Sequence, residues 1–451
     1  MEKKQSLFNF IERVFFLLAG VQILLGLMWV TGNIIYVPGF AESNWYLQTS
    51  RNLVMDEYAG LLYPLLIRVA GVAGDSFCVV LYLLQLSVAF ESYNYFILRI
   101  FGEERGRLRR YLLAAYVVTF PIVLQVHMSV LPYSLASSLL VILSVQLKDL
   151  LMQSDTLSIK RVVSIGVCWG IVALLLPDYG MVSSFVVAVV FCIYGWRKKE
   201  RWGVLLLTAF VTIACVGVTL AVTQTSDSQG RIQKSMGATM LSRFAWPYME
   251  RNYFFWSEEV KAEFSADDMR GLSLYPERIL YEFGPRMESA IGKERANALY
   301  WKMAIDSFML GKKEALTAIG RDVWQNISGP IGVQLQWQGM GVSYAGWNYA
   351  RMTECVPGLT KYYVRFANYV YDFMLLMIMV VWWLQRKGKQ AKQGQAYGRI
   401  PVFMMLAVIL WYTMNCNGMQ DYMKVLSVNV LWCMLPVWGC IQCKKNAKDE
   451  S

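Results

Sequence analysis

A chain of 451 residues that is 56% apolar and only 17% charged departs from the composition of a soluble domain, where about 45–50% apolar and about 25% charged is usual. These figures exclude a disordered, collagenous, coiled-coil or small disulfide-framework protein. The net charge of +11 leaves nucleic acid and membrane to be separated by where the charge sits, and a single His argues against a His-ligated metal centre or a His-based nucleophilic triad.

The apolar residues arrive in blocks about as long as a bilayer is thick, ~20 residues for a helix. After Glu2, Lys3 and Lys4, the run from about Val14 to Val37 is too long for a signal-peptide core and lacks a small-residue cleavage site. It predicts an uncleaved first span over 14–36. Pro38–Gly74 then mixes carboxylates, aromatics and a half-length apolar stretch, Leu61–Val72, and reads as a loop whose helices lie at or dip into the interface. Spans follow at 77–99, 111–127 and 131–149, then at 162–177 and 180–196 as a tight pair turned at Pro177 and Asp178, and then at 203–223.

Gln224–Arg365 is long enough for a small helical domain. Helices are expected near Thr239–Phe255, Pro276–Ser307 and Lys313–Gln325, before a break at Gly329 and Pro330 and a Gly-rich stretch, Gly339–Gly346. Half of Trp246, Trp256, Trp301, Trp324, Trp337 and Trp347 would serve as ordinary interfacial anchors. Spans at 367–385, 401–416 and 423–442 complete a count of ten. The fold class is therefore an all-α polytopic membrane protein: a membrane module over 1–223 with outer loop 38–74, an extracytoplasmic helical domain over 224–365, and a second membrane module with a cytoplasmic tail over 366–451.

Basic residues orient the spans. With the N-terminus inside, the inner loops are Gly102–Arg110, Lys148–Arg161, Arg197–Arg201, Arg386–Arg399 and the tail from Lys444, all rich in Lys and Arg. The short outer turns Met128–Pro132, Pro177–Gly180 and Asn417–Tyr422 hold none. The positive charge is thus a topology signal and an attraction to anionic headgroups, not a nucleic-acid footprint. Both termini are expected in the cytoplasm, as in a multi-pass protein of a bacterial plasma membrane.

A carboxylate in or beside lipid marks a candidate site. The first outer loop concentrates them, with Glu42 followed by Tyr46, Arg51, Asp56, Glu57 and Tyr63-Pro64-Leu65. On a helix, Glu42 and Tyr46 share one face. The plain alternative is a solvated loop with an Arg51 ion pair to Asp56 or Glu57. His127 stands at the helix end before one outer turn, Asp178 and Tyr179 lie in another, and the last holds Asp421 with Lys424 just beyond it. Each has a structural alternative: His127 as a hydrogen-bonder, Asp178 as a helix cap, and Lys424 snorkelling to water. Glu91 lies nearer the inner face, where Arg99 or water would pair with it. Of the nine cysteines, most fall in apolar runs, and Cys355 and Cys416 both face outside, where pairing is open.

The order of first span, acid-bearing outer loop, Tyr63-Pro64-Leu65, hairpins and large outer segment resembles the GT-C superfamily of integral membrane glycosyltransferases. The similarity is to the branch of protein O-mannosyltransferases and aminoarabinose transferases that use polyprenyl-phosphate sugars. That family's loop reads roughly Asp-Glu-x-x-Tyr followed by Pro-Pro-Leu. Glu42 stands at the Asp position, Tyr46 at the Tyr, and Tyr63 where the first Pro is expected.

The resemblance implies hexosyl or pentosyl transfer from a polyprenyl-phosphate donor to an acceptor hydroxyl at the extracytoplasmic face. Glu42 would be the general base, with Asp56 and Glu57 as alternative acids. Arg51 and Lys424 would meet the lipid phosphate, and Tyr46, Tyr63, His127, Asp178, Tyr179 and Asp421 would line the substrate site. No cofactor is called for, with a divalent metal left open. The partners would be the lipid-linked sugar, a glycan, lipid or protein acceptor, and the bilayer. Three rivals stand beside this reading: a transporter or flippase of a lipid-linked sugar, a polymer ligase or assembly component of cell-surface glycan synthesis, and a non-catalytic scaffold.

Overall fold

The computed structural model describes residues 2–33, 46–47, 49–51, 60–101, 107–152, 158–198, 236–274, 278–327, 362–374, 403–404 and 406–410, which are helical with short turns and, among the described residues, no strand. The chain divides into two compact units. Unit 1 comprises Met1–Val222, Gly329–Val408 and Leu426–Ser451, and unit 2 comprises Thr223–Ser328 and Ile409–Val425.

Unit 1 contains α1 (Glu2–Asn33), α2 (Leu62–Ala70), α3 (Phe77–Phe101), α4 (Arg107–Val118), α5 (Pro121–His127), α6 (Tyr133–Met152), α7 (Ile159–Leu175) and α8 (Pro177–Lys198). Three stretches, Glu12–Thr31 in α1, Phe77–Arg99 in α3 and Tyr133–Leu151 in α6, are long and apolar enough to cross a membrane. The expected span over 111–127 is instead two helices. Pro121 lacks the N–H that would continue α4 and holds Phe120 extended (φ −66°, ψ 131°), so α5 starts afresh at the proline. Pro177 ends α7 in the same way, with Leu176 extended between α7 and α8. The half-length stretch expected over Leu61–Val72 is α2, followed by a 3₁₀ segment, Gly71–Ser76, in which Gly74 turns at φ 60°. Of the later expected spans, 203–223 and 423–442 lie outside the described residues. Within the other two, 367–374, 403–404 and 406–410 are helical.

α3 and α6 form the centre: α3 packs against α2, α4, α5 and α6, and α6 packs against α3, α5, α7 and α8. On α1 the buried positions are Phe15, Ala19, Gln22, Gly26 and Trp29, a stripe at three- and four-residue spacing. The opposite side of α1 exposes Leu17, Val21, Leu24 and Met28, as a lipid-facing helix does. Gly26 lets α1 close on the end of α4, since a Cβ there would lie 2.8 Å from Thr119 Cβ. The Gln22 amide donates to the Tyr116 carbonyl at 3.0 Å, and the Tyr363 hydroxyl donates to the Thr119 carbonyl.

Three buried serines of α6 are satisfied by their own helix. Ser137 donates to the Tyr133 carbonyl at 2.6 Å, Ser138 to Ser134 at 2.9 Å and Ser144 to Val141 at 2.7 Å. Where α3 and α6 end, the Lys148 ammonium is buried, donates to the Arg99 carbonyl at 2.8 Å and pairs with Asp149 at 3.1 Å. Arg99 also approaches Asp149, at 3.8 Å. Of the two partners expected for Glu91, Arg99 or water, Arg99 is turned to Asp149, and the exposed Glu91 accepts from the Asn94 amide one turn on, at 3.1 Å.

Unit 2 contains α9 (Met236–Phe244), α10 (Glu258–Glu263), α11 (Ala266–Leu274), α12 (Gly284–Ile291), α13 (Lys293–Leu310) and α14 (Lys312–Ile327). Leu241, Met249, Trp256, Phe264, Met269, Phe283, Met287 and Tyr300 belong to its core. The helix expected over Thr239–Phe255 ends at Phe244; 3₁₀ turns at Trp246–Tyr248 and Tyr253–Phe255 follow. The segment Pro276–Ser307 is likewise divided, by a π turn at Ile279–Phe283 and by Gly292 at φ 84°. Two short helices, α10 and α11, fall where none was expected. α11 is capped by Ser265, whose hydroxyl accepts from the Asp268 N–H at 3.2 Å while Asp268 Oδ2 accepts from the Ser265 N–H at 2.8 Å.

Candidate functional site

The described part of the expected site is a buried polar cluster in unit 1 that joins three stretches distant in sequence. Tyr46, in the short helical piece after the first span, is buried and stands edge-on to Tyr63, ring centroids 5.7 Å apart at 82°. The Tyr63 hydroxyl donates to Gln85 Oε1 at 2.9 Å. The Gln85 amide nitrogen in turn donates to the carbonyls of His127 (2.8 Å) and Ser129 (3.0 Å). Gln85 thus ties α2, on which Tyr63 sits, to the non-helical turn between α5 and α6. That turn leaves backbone carbonyls without helical partners, and the glutamine supplies the donors.

His127 closes α5 and is fully buried. Its Nδ1 lies 2.6 Å from Ser134 Oγ at the start of α6, while its Nε2 has no hydrogen-bond partner among the described residues. Tyr133, next to Ser134, stacks obliquely on Tyr179 of α8 at 6.2 Å between ring centroids. The C-terminal end of α7 is held against Gly60, just ahead of α2: Gly60 donates its N–H to the Leu175 carbonyl at 3.3 Å, and a Cβ at Gly60 would run into the Leu174 carbonyl. Trp169 of α7 donates to the Gly180 carbonyl at 3.0 Å, fastening the α7–α8 hairpin.

Of the expected site residues, Tyr46, Tyr63, His127 and Tyr179 are brought into this one buried neighbourhood. Arg51 is exposed at the end of the short helical piece, and Asp178 lies in the first turn of α8, its side chain outside the described residues. Glu42, Asp56, Glu57, Asp421 and Lys424 also lie outside them. Gln85, Ser129, Ser134 and Gly60 were not singled out in the sequence. Gln85 carried a signal, since an amide inside the apolar run that becomes α3 must find partners or lose stability. The geometry further assigns the Tyr63 hydroxyl to a bond inside the fold.

Chemically, the cluster holds one buried imidazole nitrogen, His127 Nε2, that no described residue engages. Among the described residues no group of three or more His, Cys, Asp or Glu side chains gathers as a metal site. No protein-family model, curated protein or solved structure matches the chain.

In unit 2 the titrating groups are structural. Hydrogen bonds from the Ser265 N–H and hydroxyl hold Asp268 below the ordinary carboxylate value. Burial raises the Tyr300 hydroxyl, which donates to the Gly284 carbonyl at 2.7 Å, and burial also raises Glu288.

Proposed function

We propose that the protein is a ten-span membrane glycosyltransferase of GT-C type. It transfers a sugar from a polyprenyl-phosphate donor to an acceptor hydroxyl at the extracytoplasmic face. The observation that carries the reading is convergence: Tyr46 and Tyr63 after the first span, His127 at the second expected outer turn and Tyr179 at the third meet in one buried neighbourhood. A site built from several outer turns is what such a transferase needs, and the acid-bearing stretch Glu42–Glu57 spans Tyr46 in the chain.

In the proposed reaction Glu42 takes the proton from the acceptor hydroxyl as the oxygen attacks the anomeric carbon, the work of a general base within hydrogen-bond reach. The bond from that carbon to the lipid phosphate breaks, and Arg51 and Lys424 meet the charge that develops on the departing phosphate. The placing of charged residues at outer span ends supports an enzyme over a transporter, which would carry them near the bilayer midplane on interrupted helices.

The test is to supply the purified, lipid-reconstituted protein with a panel of labelled polyprenyl-phosphate sugars and follow the lipid donor. Acceptor-dependent release of polyprenyl phosphate supports the reading. Movement of intact donor across vesicles without cleavage would establish the flippase in its place.

A further inference from the structure

The turn Tyr253–Phe255 of unit 2 holds two neighbouring aromatic rings out of the fold. Phe254 is 80% and Phe255 85% exposed. Their flanking residues are fixed inward: the Tyr253 hydroxyl donates to the Phe264 carbonyl at 3.0 Å, and the buried Trp256 indole donates to the Met249 carbonyl at 3.0 Å. With both shoulders bonded to the unit's own backbone, the 3₁₀ turn cannot rotate the two phenyl rings into the core. Such a pair facing water is unfavourable and marks a contact with something apolar.

The identity of that apolar phase follows from the chain. Unit 2 leaves unit 1 at residue 222 and returns to it at residue 329, and it also contains Ile409–Val425. That second stretch is, on the sequence reading, two span ends and the turn between them. A unit so tethered is held within reach of lipid. The tryptophans that composition nominated as interfacial anchors do not all serve, since Trp256 is committed to the core. Exposed Phe rings can take that role, because an apolar aromatic side chain beside polar neighbours such as Arg251 suits the headgroup boundary.

We propose that Phe254 and Phe255 dock unit 2 on the lipid bilayer, both rings entering the boundary between headgroups and acyl chains. The docking is independent of any sugar-transfer chemistry. It is tested with the full-length protein carrying the photoreactive analogue p-benzoylphenylalanine in place of Phe255, reconstituted in vesicles of phosphatidylethanolamine and phosphatidylglycerol. A parallel sample carries the analogue at exposed Thr317 on α14. Irradiation followed by mass spectrometry is expected to find phospholipid joined to the chain at position 255 and none above background at 317. A crosslink from 255 to a second copy of the chain or to another segment of the same chain, equal lipid labelling at both positions, or no lipid adduct at 255 would each overturn the proposal.

Discussion

At the scale of single residues, Gln85 makes three long-range polar bonds in unit 1, reaching Tyr63, His127 and Ser129 from one side chain. Each buried partner left unsatisfied costs about 1–3 kcal/mol. Gln85→Leu is therefore expected to destabilise unit 1 by more than about 3 kcal/mol, read as a clear drop in the melting temperature of the detergent-solubilised protein. Gln85→Glu keeps an acceptor for Tyr63 but loses the donors and should fall between the two. Unit 2 offers a pH-sensitive counterpart. Asp268 is more acidic folded than unfolded, so its contribution is present above the ordinary carboxylate value of 3.8 and fades as pH falls through its lower, folded value. Ser265→Ala should cost about 1 kcal/mol near neutral pH, and the gap between variant and parent melting temperatures should narrow in acid. A gap unchanged across that range would contradict the reciprocal cap.

At the scale of elements, what was legible followed hydrophobic run length. The run at 77–99 became α3, Phe77–Phe101, and that at 131–149 became α6, Tyr133–Met152. Apolar length alone could not show that Pro121 divides 111–127, because the residues on both sides remain equally apolar; the missing N–H decides it. Nor could it show which face of α1 packs. That is set by Gly26, where the helix backbone approaches Thr119. Gly26→Leu should push α1 off α4 at a cost of about 1–3 kcal/mol, the range for an overpacked contact. The matching control, Gly20→Leu, falls where nothing lies within 4 Å of the added Cβ and should leave the melting temperature unchanged. In unit 2 the helices α10 and α11 were missed because their apolar positions are few and their start signals, Ser257 before Glu258 and Ser265 before Asp268, are short-range.

At the scale of the whole molecule, the sequence offers the candidate residues one by one, and their connection into a buried cluster is seen only in the fold. Tyr46 and Tyr63 were nominated by the acid-bearing loop and its motif, and His127 and Tyr179 by their places at expected turns. The residues joining them, Gln85, Ser134 and Tyr133, look like ordinary members of membrane helices in the sequence. The proposed topology makes its own prediction. In intact cells a membrane-impermeant thiol reagent should reach Cys443 only after permeabilisation, because the tail from Lys444 is assigned to the cytoplasm by its basic residues. Labelling at Cys443 without permeabilisation, in a protein whose Cys355 and Cys416 are replaced by Ser, would reverse the orientation and move every expected outer-turn residue to the wrong side for transfer from an extracytoplasmic lipid donor.

The central claim is that a carboxylate in the first outer loop takes the acceptor's proton. Its most direct test is the rate of donor cleavage by Glu42→Gln beside the parent protein, both inserted to the same level and with the same melting temperature. Loss of a positioned general base should slow cleavage about 10²–10⁴-fold, with donor affinity little changed. A Glu42→Gln protein that cleaves the donor at the parental rate would contradict the assignment.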